Sequence, residues 1–300
     1  MSAGTDAGPW TISRLLAWTR DYLQRSGLEA PRLCAEILLA HALECERIRL
    51  YTRFEEIPSD AARGRFRELV QQAAAGRPIA YLTGTKEFFS LAFEVTPDVL
   101  IPRPETEILV ERTIDLVRKS GAPVRTILDL GTGSGCIAVS LARHLPEIRV
   151  CASDVSEAVV EVARRNAVRH GVAGRIELRT GELFEPWRAR RAEDGGDAAQ
   201  FDVIVSNPPY VATAPGTPLE KRVRDHEPGI ALFAGADGLD VIRRISSAAP
   251  AHISAGGHLL LEVGYDQAAA VRELLAAAGW RDIVSYRDAT GHERVMHARR

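Results

Sequence analysis

The chain has 300 residues, 46% of them hydrophobic, and 38 basic against 40 acidic side chains give it a formal net charge of -2. That length suits one large or two modest domains, and the apolar content is ample for packed cores, which excludes general disorder. The near balance of charge excludes a protein whose affinity rests chiefly on neutralising phosphates. No apolar run reaches the ~18 residues of a membrane span, and MSAGTDAGPW lacks the basic-then-apolar pattern of a secretory leader. Cys34, Cys45, Cys136 and Cys151 show no CxxC spacing. Reduced thiols in a cytoplasmic protein fit them better than a disulfide framework or a zinc site, so no metal is expected.

Residues 1–85 read as helical. Trp10, Leu15, Leu16, Trp18, Tyr22 and Leu23 form an apolar face that Gly27 ends. A second helix starts near Pro31 with Leu33, Ile37, Leu38 and Leu43. A third opens at the capping pair Ser59-Asp60 and stops at Gly76. Core packing accounts for these aromatics without any ligand. From Lys86 the period changes to alternation, with Phe89, Leu91, Phe93 and Val95 marking a strand or hairpin. Pro102 and Pro104 then hold Ile101 and Arg103 out of helical geometry, and Pro104 opens a helix running to Gly121. Residues 86–104 are therefore expected to be a hairpin and hinge linker, with a third region over 105–300.

In that region strand and helix signals alternate. The runs TILDL, IRVCAS, FDVIVS and GHLLLEV read as buried parallel strands, with RIELRT a weaker one. Helical patterns at Ser156–His170 and Asp266–Ala278 end at Gly171 and Gly279. Such alternation predicts an α/β doubly wound sheet. The last two runs, RDIVSYRD and ERVMHAR, are joined by a short turn and are expected to pair antiparallel at a sheet edge. The polar stretch RARRAEDGGDAAQ before Phe201 is expected to be a mobile surface loop.

Ligands in open α/β sheets collect beyond the carboxyl ends of the strands, so the residues after each strand carry the functional reading. After the first come Gly131, Thr132, Gly133, Ser134 and Gly135. Their GxGxG spacing lets a ligand approach bare backbone N–H groups near a helix N-terminus. It is neither the dinucleotide fingerprint nor a Walker loop, and no lysine follows to bind a triphosphate. A purely structural tight turn is the competing reading. Asp154 ends the next strand, 19 residues after Gly135, and can accept both hydroxyls of a ribose while also capping the following helix. After the third strand, Glu182 and Leu183 could frame a purine.

The fourth strand delivers Asn207-Pro208-Pro209-Tyr210. Two prolines fix the backbone and remove two donors, which leaves the Asn207 side-chain carbonyl and the Pro208 backbone carbonyl as acceptors. Those acceptors suit a substrate –NH2, and Tyr210 offers a face for a planar amide or base. An amide or aromatic amine nitrogen is a poor nucleophile, so such a corner points to methyl transfer from S-adenosylmethionine. That cofactor also suits a nucleoside pocket without phosphate ligands.

DLGTGSG, Ser153-Asp154 and SNPPY resemble class I S-adenosylmethionine-dependent amino-group methyltransferases. Further stretches narrow the likeness: Arg77-Pro-Ile-Ala-Tyr-Leu82, VLIPRPETE (Val99 to Glu107), Glu227-Pro228, LEVGYDQ and Gly291-His-Glu-Arg294. Together they resemble the bacterial release-factor glutamine methyltransferases (the PrmC/HemK family) over nearly the whole chain. The resemblance implies a Rossmann-like, seven-stranded class I methyltransferase domain with a small N-terminal helical domain that docks the substrate. The implied substrate is the glutamine of the Gly-Gly-Gln motif in class I peptide chain release factors. Carried over by motif, Gly131 to Gly135 line the methionine and sugar, Asp154 holds the ribose, and Leu183 lies where some members have Trp. Asn207 contacts cofactor and substrate, and Asn207 to Tyr210 clamp the amide. No direct nucleic-acid partner or membrane association is expected. Roles for Arg103, Glu105, Glu182 and Glu262 stay open. The rival readings are a DNA or RNA amino methyltransferase and a catalytically silent cofactor-binding scaffold. His292-Glu293 with His297 misses the zinc-protease spacing.

Overall fold

The computed structural model describes residues 8–121, 123–188, 200–214, 216–217 and 219–300. By contacts the chain divides into Met1–Gly84 and Thr85–Arg300.

The first unit is helical: α1 (Ile12–Arg25), α2 (Pro31–Ala42), α3 (Arg47–Thr52), α4 (Asp60–Ala74) and α5 (Ile79–Thr83). Thr11 and Ser59 cap α1 and α4, each hydroxyl accepting a backbone N–H from the first turn. Ile12, Leu15, Leu23, Leu38, Leu39, Phe66 and Val70 share one core. The short helices α3 and α5 are absent from the periodicity reading, because five or six residues hold too few turns to display a period.

The second unit opens with a hairpin, β1 (Thr85–Phe88) and β2 (Leu91–Glu94). Phe89, expected within a strand, lies in the two-residue turn instead, where it and Ser90 both take positive φ (49° and 60°). This is the turn hand that matches strand twist. Phe88 and Phe93 pack into the core that covers one face of the main sheet. After a 3-10 turn at Pro104–Thr106 come α6 (Glu107–Lys119), β3 (Thr126–Leu130), α7 (Cys136–His144), β4 (Arg149–Asp154), α8 (Glu157–Arg169) and β5 (Ile176–Thr180). Next are α9 (Glu185–Arg188), β6 (Phe201–Ser206), α10 (Lys221–His226), α11 (Asp240–Ala248), β7 (Ile253–Glu262), α12 (Ala268–Ala277), β8 (Arg281–Arg287) and β9 (Glu293–Arg299). Apart from its two end residues, the stretch 188–200, expected as a loop, lies outside the described residues.

The seven strands from β3 onward form one sheet in the order β5-β4-β3-β6-β7-β9-β8. The first five are parallel, and β9 runs antiparallel to both β7 and β8. The last two strands do pair at an edge, with the later one inserted next to β7 so that β8 lies outermost. Strand residues alternate between two cores. Ile127, Val150, Val203 and Leu260 face α6, α7 and the hairpin, whereas Leu128, Cys151, Ile204 and Leu259 face α11 and α12. Burial on both faces explains why the strands read as continuous apolar runs.

Candidate active site

The strand order reverses between β3 and β6, where chain connections leave in opposite directions and a crevice opens at the carboxyl ends. A cleft of about 440 Å³ occupies that point, and the loops after β3, β4, β5 and β6 line it together with residues 97–106. Of the residues singled out from the sequence, Gly131, Thr132, Gly133, Ser134, Asp154, Leu183, Asn207 and Pro209 form its wall. Gly135 does not line it. It stands at the N-cap of α7, and a Cβ there would press within 3.1 Å of Ala163 on α8, so this glycine serves close helix packing. Pro208 is buried, and Tyr210 is half-buried against the apolar core on one face of the sheet.

The glycine loop is held from below. Gly131 and Thr132 both donate their N–H groups to the Ser153 carbonyl, at 2.9 and 3.0 Å, which ties the loop to the end of β4. Gly133 has φ of 56°, and a Cβ would find no atom within 4 Å. Its requirement for glycine is therefore conformational, and the space above it is open to a ligand. Asp154 accepts from Gly133 N at 3.1 Å and from Ser156 N at 3.3 Å. Burial raises its pKa against those backbone bonds. Asp129, inside β3, is fully buried and accepts from the Thr132 hydroxyl at 2.7 Å. Burial pushes its pKa up to about 7, and its Oδ1 has no partner among the described residues. An acid within the apolar run TILDL is a signal that periodicity alone passes over.

Across the cleft, Leu183 takes φ of 46°, and its carbonyl accepts from Ser153 Oγ at 3.3 Å. The Glu182 carboxylate bonds to Arg244 at 2.6 Å, which holds its pKa below the usual range. Arg103 pairs with Glu227, whose side chain is 2% exposed and also accepts from Ile101 N at 3.1 Å. Arg103 thus fastens the VLIPRP segment to the end of α10.

Asn207 follows β6 directly. Its Nδ2 donates to Thr106 Oγ1 at 3.0 Å. Neither its Oδ1 nor the Pro208 carbonyl receives a hydrogen bond from a described residue. The Tyr210 hydroxyl donates to Glu262 Oε1 at 3.3 Å, and its carbonyl accepts from Gln267 at 2.9 Å. Glu262, the last residue of β7, is 1% exposed, and burial pushes its pKa up to about 7.

Comparison with known proteins decides the family. Residues 14–84 match the PrmC N-terminal domain, and residues 106–218 match the methyltransferase small domain. A protein of Rhodopirellula baltica named release factor glutamine methyltransferase is 41% identical over 301 residues, covering 99% of this chain and 98% of its own. The chain belongs to that family. Its counterpart of the same name in Burkholderia pseudomallei is 48% identical and spans 94% of this chain and 96% of its own. The hMettl16 catalytic domain bound to a MAT2A 3′UTR hairpin shares the fold at 16% identity. Its TM-score is 0.55, with 75% of this chain and 79% of that one covered. Among the described residues of this methyltransferase, no helix is long and apolar enough to cross a membrane.

The residues present fit an S-adenosylmethionine molecule. Asp154 offers a carboxylate for vicinal hydroxyls, the bare glycine backbone allows close approach, and Leu183 supplies an apolar face. A Cβ on Gly131 or Gly133 would meet no atom within 4 Å, so the space above the loop is open to the cofactor.

Proposed function

We propose that this enzyme transfers a methyl group from S-adenosylmethionine to the side-chain amide nitrogen of the glutamine in the Gly-Gly-Gln motif of class I release factors. The observation that carries this reading is the state of Asn207. Its Nδ2 is engaged by Thr106, which leaves Oδ1 as a pure acceptor, and nothing among the described residues donates to the Pro208 carbonyl one position on. Two such acceptors match the two N–H donors of a primary amide, whereas a hydroxyl brings one donor and an ester none.

The bound sulfonium supplies an electrophilic methyl. The rest falls to the chain. Asn207 Oδ1 and Pro208 O each accept one amide N–H, which fixes the nitrogen in position and draws its lone pair out of conjugation toward the cleft. Both acceptors also stabilise the positive charge that grows on nitrogen as the new bond forms. No strong base is needed beforehand, because an alkylated amide nitrogen is acidic and releases its proton readily to an acceptor or water. Pro209 and the tied-down Tyr210 backbone keep the corner rigid, with the Gln267 amide bridging Tyr210 O and Gly264 N (2.9 Å each).

The test is methyl transfer from labelled cofactor to a class I release factor and, separately, to duplex DNA. Label in the release factor, lost when the motif glutamine is replaced, supports the reading. Label in DNA alone overturns it in favour of a base methyltransferase.

A further inference from the structure

We propose that Thr106 and Glu262 act as positioning residues behind the Asn207-Pro-Pro-Tyr210 corner, setting which end of the Asn207 amide faces the cleft. The inference rests on the reading of Asn207 Oδ1 as an acceptor for the substrate amide.

The sheet and the turn before α6 bring three groups together from distant parts of the chain. Ser206 on β6 is in register with Leu261 on β7, so the next positions, Asn207 and Glu262, lie level at the strand ends. Thr106 closes the 3-10 turn Pro104–Thr106, is 2% exposed, and reaches Asn207 Nδ2 at 3.0 Å. Glu262, level with Asn207, lies near enough for the Thr106 hydroxyl to favour the ionised carboxylate, without a hydrogen bond of regular geometry between them.

An asparagine amide is nearly symmetric in shape, and nothing in its size decides whether oxygen or nitrogen points outward. A threonine hydroxyl has one hydrogen and two lone pairs, whereas an ionised carboxylate only accepts. Beside an ionised Glu262, the hydroxyl hydrogen therefore turns toward the carboxylate. What remains for Asn207 is a lone pair, which selects Nδ2 and turns Oδ1 to the cleft. A turned amide would present Nδ2 to the substrate –NH2, setting donor against donor. Tyr210 is held by the same carboxylate through its hydroxyl at 3.3 Å, so one buried acid orders both ends of the corner. Glu262 Oε2 has no hydrogen-bond partner among the described residues. The carboxylate is thus under-satisfied, an arrangement that costs stability and is easier to understand as functional than as structural.

The substitution that tests this is Thr106→Val, nearly isosteric and without the hydroxyl, alone and combined with Asn207→Ala. Methyl transfer to a release factor is measured at saturating cofactor, with S-adenosylhomocysteine binding and thermal unfolding as fold controls. The expected result is a roughly tenfold lower kcat with release-factor KM and cofactor affinity within twofold, by analogy with a partial loss of a preorganised group. Thr106→Ser should recover activity to within about threefold of wild type. In the Asn207→Ala background Thr106→Val should add nothing, since its effect passes through Asn207. If Thr106→Val proves unstable, Glu262→Gln reads the same quantity, because a Gln amide can donate to Thr106 and release the amide orientation. Wild-type kcat in Thr106→Val, or a loss that persists in full on Asn207→Ala, overturns the relay while leaving the corner intact. Normal turnover by Asn207→Ala alone overturns the corner and the relay together.

Discussion

Replacing Asn207 by alanine removes a single acceptor from the substrate amide and leaves the loop backbone in place. The fold should survive: Asn207 is half-buried at the end of β6, outside both apolar cores, and among the described residues its side chain bonds only to Thr106. Turnover should not survive, because the lost bond strengthens as charge develops on nitrogen. Removing one preorganised group of this kind lowers kcat by about 10²–10³, or roughly 2.7–4 kcal/mol of transition-state stabilisation. The assay is single-turnover methyl transfer from labelled cofactor to a release factor, with S-adenosylhomocysteine affinity measured in parallel. The loss should fall on the chemical step, with cofactor affinity changed far less. Turnover within threefold of wild type would refute the reasoning, because the remaining Pro208 carbonyl cannot orient both amide hydrogens.

Asp154→Ala should weaken S-adenosylhomocysteine binding by about 10²-fold, since hydrogen bonds to a charged group contribute roughly 1.5–3 kcal/mol each; calorimetry showing unchanged affinity would remove the ribose assignment. Gly133→Ala places a Cβ on backbone with φ of 56° and should lower stability by about 1–2 kcal/mol in denaturant unfolding. Arg103→Ala leaves the buried Glu227 carboxylate with only the Ile101 N–H among the described residues and should cost about 3 kcal/mol by the same measurement. Activity should also depend on pH through Glu262, which faces Tyr210, Arg294, Glu105 and Cys136. Its carboxyl is raised to about 7, so it is protonated below that pH, and the ionised form that orders Thr106 is present only above it. The kcat of wild type should therefore rise through neutral pH, and this rise should be much reduced in Glu262→Gln; an identical profile in the variant would exclude Glu262 as the titrating group.

The architecture was largely legible because its strands are buried on both faces. TILDL, FDVIVS and GHLLLEV are runs that only a covered parallel sheet explains, and each is closed by residues unfit to continue a strand. The glycine loop, Asp154 and Asn207 could be placed from the rule that α/β sites gather at strand carboxyl ends. Three features escaped that logic. The insertion of β9 between β7 and β8 depends on how the final turn docks, which carries no local pattern. Helix α11 is amphipathic through Val241, Ile242 and Ile245, yet it spans only nine residues and is absent from the periodicity reading. Asp129, Thr106 and Glu262 gain their chemistry only from burial and from neighbours more than 100 residues away in the case of Thr106 and Asn207. A carboxylate inside an apolar run is the signal that marks Asp129, and it is also why Glu262 stands out in the sequence, though without a role.

The central claim is geometric, and a crystal structure of the enzyme with S-adenosylhomocysteine and a class I release factor tests it most directly. The motif glutamine nitrogen should lie about 2.9 Å from both Asn207 Oδ1 and the Pro208 carbonyl, with its free lobe aimed at the cofactor sulfur. A glutamine seated elsewhere in the cleft, or an Asn207 amide turned with Nδ2 toward it, would contradict the account.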